Sequence, residues 1–512
     1  MSDLSCFMAY DIRGKVPEQL DASLAQAIGR AFVAEMGARR VVVGRDVRLE
    51  SPMLTAALIQ GLTASGADVI DIGLCGTEEV YFGTVHHGAD GGIMVTASHN
   101  PKGFNGMKLV RAGAQPISGD SGLLAIRDRI AAGDLPAMRN GIAADDATVS
   151  ARPDAGDQAA ALTRSGRHGT DPFASNPADP ADRADPPHFA SGPVGRVMVD
   201  EDKTAYLQHL LGYVDRAALQ PLKIVADPGN GGAGPVMHLL AERLAPLDFV
   251  LINAAPDGRF PNGVPNPLLP ERRAATAAAV REHGADFGIA WDGDFDRCFL
   301  FDAGGRFIEG YYLVGLLAEM MLAKHPGARI LHDPRLTWNT IEQVRSAGGV
   351  PVQSKTGHAF MKERLRLEDA VYGGEMSAHH YFREFAYCDS GMIPWLLVAE
   401  LISRSGRPLA DLVDARMAAY PCSGEINYRV PAVAPVIERV LAYYQPESPV
   451  VDRTDGISLE FPEWRFNLRG SNTEPLLRLN VETRGDAAEV ERRVAEIAAL
   501  IEEQAPSPTL PR

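Results

Sequence analysis

The sequence predicts an α/β protein: three successive αβ units with mixed, mainly parallel sheets, followed by a smaller α+β module. Three observations lead there. The chain has 512 residues, enough for three or four domains at roughly 100–200 residues each. Short apolar strand runs alternate with amphipathic helical runs, the pattern of parallel strands covered on both faces. Near residue 420 that alternation gives way to strands joined by short turns and one long amphipathic helix.

Taken in order, residues 1–140 form the first unit. "LAQAIGRAFVAEM" reads as a helix and "RRVVVGRD" as a strand; "SPMLTAALIQGLTASG" is a helix with proline near its start; "ADVIDIGL" and "GGIMVTAS" are strands. Residues 141–195 are rich in Pro, Ala, Asp, Gly and Ser and carry few large aliphatics. Such a segment cannot bury enough apolar surface to offset its ordering entropy, so a disordered insert is expected. The rhythm resumes over 196–305, where "LKIVADPGNGGAGPVMHLLAERL" is strand, glycine turn and helix, and "ADFGIAWDGDFDRCFLFDAGG" is two strands around an acidic loop. Residues 306–420 supply a third αβ unit through "GARILHDPRL", "VPVQSKTGHAFMKERL" and "DAVYGGEMSAHHYF". Residues 421–512, with "GISLEF", "WRFNLRGSNTEPLLRLNVETR" and "AAEVERRVAEIAALIEEQ", form the α+β module.

Composition excludes several function classes. Hydrophobic content of 46% and charged content of 23% are those of an ordinary globular chain, and no apolar run is long enough for a membrane span. The start "MSDLSCFMAYDIRG" lacks a basic segment before a long apolar stretch, so no secretory signal is expected. Cys6, Cys75, Cys298, Cys388 and Cys422 are scattered without a CxxC pair, which supports neither a disulfide framework nor a thiolate zinc site. A reducing cytoplasm is the expected location. A net charge of −16 argues against nucleic acid, whose phosphates require a broad basic face.

Five motifs carry chemistry. "WDGDFDRC" puts Asp292, Asp294 and Asp296 at alternate positions after an apolar strand. Carboxylates this close repel unless a cation offsets them, and their spacing suits a hard divalent ion such as Mg²⁺. An EF-hand is excluded, because its glycine and glutamate positions hold Arg297 and Ala303. "RGSNTEPLLR" offers Arg469, Ser471, Asn472, Thr473 and Arg478 as an anion pocket or as an ordinary polar turn. "DPGNGGAGPVM" matches GxGxxG at Gly229, Gly231 and Gly234, but the next strand ends at Asn253 rather than an acid, which favours a structural turn over a dinucleotide site. "GGEMSAHHYF" pairs Glu375 with Ser377, acceptor and donor for sugar hydroxyls, beside two histidines that could equally be packing residues. The fifth motif, "TASHNPKGFNGMKLV", ends a buried strand in Ser98 and His99. There is no GxSxG elbow, and neighbouring side chains on extended backbone point apart, so a Ser–His hydrolase pair is not expected. Phosphoryl transfer remains: a phosphorylated Ser98 would carry a charge close to −2, and Lys108 could supply charge or act as acid or base. The alternative for Ser98 is a helix N-cap.

With these motifs in view, nearly the whole chain outside 141–195 resembles the α-D-phosphohexomutases, and within them the bacterial phosphomannomutase branch. "AYDIRG", "TASHNPKGFNGMKLV", "DGDFDR", "KTGHAF", "GEMSAHHYF" and "RGSNTEPLLR" occur in the family's order. The resemblance implies four domains around a central cleft and a phosphoserine at Ser98. It implies Mg²⁺ held by Asp292, Asp294, Asp296 and a phosphoserine oxygen, with Glu375 and Ser377 on the sugar's 3- and 4-hydroxyls. The phosphate that is not transferred would lie on Arg469, Ser471, Asn472 and Thr473, with Arg478 as a neighbour, and Arg335 in "HDPRLTW" would bind substrate where many relatives carry a basic residue. Tyr10, Arg13, His99, Lys108, Arg297 and His358 match further cleft positions, Lys108 and His358 as acid/base or orienting groups. The activity implied is interconversion of mannose 6-phosphate and mannose 1-phosphate through a hexose 1,6-bisphosphate. A phosphoglucomutase or dual-specificity enzyme is the near alternative; an NAD-dependent oxidoreductase and a non-catalytic sugar-phosphate binder are the remote ones. Oligomeric state is not legible.

Overall fold

A computed structural model of the protein describes residues 4–138, 194–470 and 476–502. In chain order the first unit holds β1 (Ile12–Lys15), α1 (Ala22–Met36), β2 (Arg40–Arg45), α2 (Ser51–Ala64), β3 (Asp68–Leu74), α3 (Thr77–His86), β4 (Gly91–Val95), β5 (Phe104–Arg111), β6 (Gln115–Pro116), α4 (Leu123–Ala132) and β7 (Val197–Val199). Helix α1 starts where the Asp21 carboxylate accepts the Leu24 amide at 2.7 Å and stops at Gly37, which adopts φ +61°. The strands run β1-β5-β4-β2-β3-β7, with β6 on β5. β2 pairs parallel with β3 and β4, while β4 and β5 are antiparallel, so the sheet is mixed. β4 is buried along its whole length. Its first residue must be glycine, because a Cβ at Gly91 would lie 2.6 Å from the Phe32 ring.

Val197–Val199 corrects the boundary expected at residue 196. The segment adds a parallel edge strand to β3 and so belongs to the first sheet. A three-residue apolar run has no period that could reveal its partner. The insert expected at 141–195 lies outside the described residues except for its last two.

The second unit contains α5 (Thr204–Leu211), β8 (Lys223–Asp227), α6 (Ala233–Ala241), β9 (Asp248–Leu251), α7 (Ala274–His283), β10 (Phe287–Trp291), β11 (Cys298–Asp302) and β12 (Phe307–Ile308), ordered β12-β11-β10-β8-β9. The third contains α8 (Gly310–Lys324), β13 (Arg329–His332), α9 (Trp338–Ser346), β14 (Val350–Gln353), α10 (His358–Glu368), β15 (Tyr372–Gly374), β16 (His380–Phe382), β17 (Cys388–Asp389), α11 (Ile393–Ser405) and α12 (Leu409–Ala419), ordered β14-β13-β15-β16-β17. The fourth, with β18 (Ile426–Arg429), α13 (Val433–Tyr444), β19 (Val450–Asp452), β20 (Ile457–Glu460), β21 (Trp464–Gly470), β22 (Leu476–Thr483) and α14 (Ala487–Glu502), is antiparallel throughout, ordered β18-β22-β21-β20-β19. Three αβ sheets and one α+β module are thus present.

The cores explain how these units hold the site. One apolar cluster runs from the second unit into the third through Trp291, Tyr311 and Trp395, and takes in Tyr81 and Phe82 of α3. The fourth unit has its own core of Tyr444, Trp464, Phe466 and Ile497. It meets the third through polar groups: Glu482 accepts the Thr337 amide at 2.7 Å, and Arg465 donates both to Glu482 at 2.7 Å and to the Arg335 and Pro334 carbonyls at 3.1 and 2.9 Å. No helix among the described residues is long and apolar enough to cross a membrane, and all five cysteines are free thiols.

Candidate active site

The site begins at the end of β4. Thr96 and Ala97 carry the chain off the sheet, and Ser98 follows in a turn at φ +47°. No helix starts here, so Ser98 is not an N-cap. Arg48, 2% exposed, holds the turn from behind. Its guanidinium donates to the carbonyls of Ser98 (2.9 Å), Asn100 (2.6 Å), Pro101 (3.0 Å) and Phe104 (3.0 Å). The sequence reading did not single out Arg48. Its only trace was an arginine inside "GRDVRLES", and nothing local says that it clamps residues some fifty positions away.

The left-handed φ at Ser98 overturns one expectation. Strand alternation should have sent Ser98 and His99 apart, yet Ser98 Oγ lies 3.1 Å from His99 Nδ1, because Ser98 is not extended. The pair is still no hydrolase dyad. The Arg297 guanidinium also points at His99 Nδ1, and burial, with Arg297 beside it, pushes the imidazole well below its ordinary range. A cation at that nitrogen denies His99 the part of a base.

Ser98 Oγ donates to Asp292 Oδ2 at 2.8 Å, across the boundary between the first and second units. Asp292 follows β10, and β10 and β11 pair as an antiparallel hairpin that presents Asp292, Asp294 and Asp296 in its turn. The three carboxylates lie with ligand atoms within 4.8 Å of one another, all buried. Arg297 donates to Asp292 from Nε (2.8 Å) and Nη2 (2.6 Å). Lys108 on β5 donates to Asp294 at 2.8 Å and also to Asp296. Burial alone would lower the Lys108 ammonium, but Asp294 and Asp296 outweigh it and hold it above its ordinary range. Lys108 is therefore a fixed cation. Burial and the Asp294 charge raise Asp296 to about 6; for Asp294, Lys108 overcomes burial and lowers it. Asp292, Asp294 and Asp296 each keep one Oδ1 atom buried without any hydrogen-bond donor. Three orphaned carboxylate oxygens facing one small space fit a hard divalent cation.

The glycines of the GxGxxG match are required by close packing within the protein itself, as a structural turn demands. A Cβ at Gly234 would lie 1.8 Å from the Ala254 carbonyl, one at Gly229 2.5 Å from Pro265, and one at Gly231 2.9 Å from the Gly293 carbonyl in the acidic turn. The glycine turn backs the acidic loop.

The third unit supplies the opposite wall. Glu375, 1% exposed, follows β15; it accepts the Gly357 amide at 2.9 Å and the Tyr381 hydroxyl at 2.5 Å. Arg335 forks onto Asp333 at 3.1 and 2.8 Å and reaches Ser377 Oγ at 3.2 Å. His358, at the start of α10, packs against Tyr10 of the first unit with centroids 6.0 Å apart; its Nδ1 is buried without a partner, and burial pushes the ring well below its ordinary range. Arg13 donates to the Thr96 carbonyl and pairs with Asp11 at 3.0 Å. A histidine absent from the candidate residues joins them. His379 Nδ1 meets Asp389 at 2.7 Å, and its ring lies 6.3 Å from that of His358. Burial would lower His379, but Asp296 and Asp389 outweigh it and raise it. "AHHYF" hid this role, since adjacent histidines alternate faces: His380 instead points inward onto the Tyr372 hydroxyl at 2.7 Å.

In the fourth unit, Arg469 on β21 and Arg478 on β22 are paired across the hairpin. Both reach Glu425, at 3.2 and 3.1 Å. Ser471, Asn472 and Thr473 lie outside the described residues.

Comparison with known proteins agrees with this arrangement. The four phosphoglucomutase/phosphomannomutase domain signatures match in order: domain I over 5–136, domain II over 204–305, domain III over 309–420 and the C-terminal domain over 425–500. A protein of Xanthomonas campestris pv. campestris named "Phosphohexose mutases" is 58% identical over 498 residues, 97% of this chain and 99% of its own. A Salmonella montevideo protein named "Phosphomannomutase" is 53% identical over 505 residues, 98% of this chain and 100% of its own. The crystal structure of a phosphoglucomutase/phosphomannomutase family protein from Burkholderia thailandensis superposes with a TM-score of 0.79 at 30% identity, covering 99% of each chain.

Proposed function

The chain belongs to the phosphoglucomutase/phosphomannomutase family, whose members depend on a metal, and from that premise we propose how its residues act. It is a phosphomannomutase, interconverting mannose 6-phosphate and mannose 1-phosphate. The observation that carries the mechanism is the 2.8 Å contact between Ser98 Oγ and Asp292. It sets a hydroxyl able to carry a phosphoryl group against three carboxylates that no phosphate could approach without a cation.

In the first half-reaction the free sugar hydroxyl attacks the phosphorus on Ser98. The P–O bond to Ser98 Oγ breaks, and a hexose 1,6-bisphosphate forms. The intermediate turns over, and its other phosphate returns to Ser98 by the reverse step. Asp292, Asp294 and Asp296 would hold Mg²⁺, which would supply charge neutralisation at the phosphoryl oxygens. Arg297 and Lys108 are the chain's own cations there, fixed in place before reaction. The attacking hydroxyl must lose a proton. Lys108, held as an ammonium, cannot take it, and His379, which Asp296 and Asp389 hold toward the imidazolium, is no better placed; neutral His358, whose buried Nδ1 has no partner, can. Beside it, His379 and Tyr10 line the approach. Glu375 and Ser377 bind the sugar's 3- and 4-hydroxyls in either orientation, and Arg335, Arg469, Arg478 and the 471–473 loop hold the phosphate at rest. The polar seam between the third and fourth units suits closure over the bisphosphate, which keeps water from the phosphoserine. The reaction belongs to the cytoplasm.

Mannose and glucose differ at C2, away from the hydroxyls that Glu375 would read. The relative named "Phosphohexose mutases" therefore favours acceptance of glucose phosphates as a second reading. A coupled assay with mannose 1-phosphate and glucose 1-phosphate, primed with a trace of bisphosphate, tests both. Turnover of mannose 1-phosphate is expected; turnover of neither overturns the proposal.

A further inference from the structure

Glu425 stands where the resting phosphate should bind. It lies between α12 and β18, on the connection from the third unit to the fourth, directly after Gly424 at φ +66°. Its carboxylate touches three guanidiniums from two units: Oε2 lies 3.4 Å from Arg335 Nη1 and 3.2 Å from Arg469 Nη2, and Oε1 lies 3.1 Å from Arg478 Nη1. The side chains of Arg335 and Arg469 are 3% exposed, that of Glu425 22%. Three cations this close, largely out of water, repel one another unless an anion sits among them.

The contacts are loose. Charge-assisted hydrogen bonds of this type settle near about 2.7–2.9 Å, and all three here are longer. Arg469 Nε, buried, has no hydrogen-bond acceptor among the described residues; Asp455 is its nearest carboxylate at 3.8 Å. A phosphate has more oxygens than a carboxylate and could meet these donors at shorter range. The three arginines hold Glu425 ionised, below the ordinary carboxylate range, against the upward pull of burial.

We propose that Glu425 is an internal anion that occupies the phosphate pocket when substrate is absent and gives way to the substrate's phosphate on binding. The inference rests on the mutase reading, because a bisphosphate that turns over must vacate this pocket and refill it within one catalytic cycle. Arginines with no anion of their own would cling to the first phosphate; a carboxylate on the inter-domain connection lets them release it. It also ties pocket occupancy to the segment about which the fourth unit would move.

The test is Glu425→Gln in the full chain, with inorganic phosphate as the probe. Isothermal titration should show phosphate bound about tenfold more tightly than by wild type. Steady-state kinetics with mannose 1-phosphate should show KM and kcat falling together, the sign of a pocket that grips without releasing. A structural role alone would not tighten phosphate binding. Phosphate affinity equal to or weaker than wild type overturns the inference. Should the glutamine variant not fold, Glu425→Asp draws the carboxylate back from the arginines and is read in the same way. Wild-type turnover with no tightening in the variant defeats this inference alone. Tightening in a protein that turns over neither hexose phosphate defeats the mutase reading and leaves the anion exchange standing.

Discussion

Replacing Arg48 should separate the cost of a misplaced Ser98 from the cost of a damaged fold. Arg48 Nη1 donates to Pro101 and Phe104, both at 3.0 Å, and Nη2 to Ser98 at 2.9 Å and Asn100 at 2.6 Å, with Asp46 3.4 Å from Nε. One such charged bond is worth about 1.5–3 kcal/mol. The four share one guanidinium and do not add. Loss of one partner of a buried pair sets the scale instead, so Arg48→Ala should cost about 3–5 kcal/mol of stability. Its turn would no longer hold Ser98 against Asp292, and a displacement of about 1 Å at a reacting atom costs about 100-fold in rate. Arg48→Lys keeps the charge beside Asp46, but one ammonium cannot fan out to four carbonyls. It should retain most of the stability and lose about tenfold in kcat. Thermal melts and kcat with mannose 1-phosphate read the two effects separately. A lysine variant with the wild-type kcat, or an alanine variant that melts early yet turns over normally, would refute the clamp.

Ser98→Ala should lower turnover by more than about 1,000-fold and leave sugar-phosphate binding largely intact; intact-mass analysis of the active wild type should find a labile phosphate on Ser98. Gly293→Ala places a Cβ 2.6 Å from the Ser98 carbonyl, so the acidic turn must retreat from Ser98 and kcat should drop while the circular dichroism spectrum stays unchanged. Chelation by EDTA should abolish activity and added Mg²⁺ restore it; full activity in chelator would contradict the reading of the three orphaned Oδ1 atoms. Burial, with His379 a smaller cause, holds His380 at about 3 against an ordinary value near 6.5. The unfolded chain thus binds the extra proton between those values, and stability falls as pH drops through that window. The His380 share is about 1.4 kcal/mol per pH unit, and chemical denaturation of His380→Gln from pH 6.5 to 4.5 should show a shallower loss than wild type.

What could be read along the chain was whatever depends on local pattern. β4 and β10 are short apolar runs buried on both faces, and each ends in polar residues that must leave the sheet, so Ser98 and the three aspartates stood out. Contacts that depend on backbone handedness or on distant segments were not legible. Strand alternation was assumed at Ser98, and one residue at φ +47° reversed the result for His99. Arg48, His379, Glu425 and Glu482 act through partners far along the chain or in another unit, and no spacing within a single motif announces them.

The same limit explains how two units that share no motif place Ser98 and Asp292 within 2.8 Å of each other. The start of α3 does this with three consecutive side chains. Thr77 donates its hydroxyl to Asp294 at 2.6 Å, and its amide reaches the Asp294 carbonyl at 3.0 Å, which moors the acidic turn to the first unit. Glu78, buried, accepts from Tyr206 of the second unit at 2.6 Å and from Ser390 and the Met392 amide of the third at 2.9 and 3.2 Å. Glu79 accepts the Gly76 amide at 2.9 Å and pairs with Lys203, which leads into the second unit. Nothing in "GTEEVYF" distinguishes these carboxylates from the acidic first turn that any helix favours. A buried glutamate accepting from two other units is instead a joint. It holds Ser98 in register with Asp292 and Asp294 across the seam between the first two units, while the fourth unit keeps a core of its own.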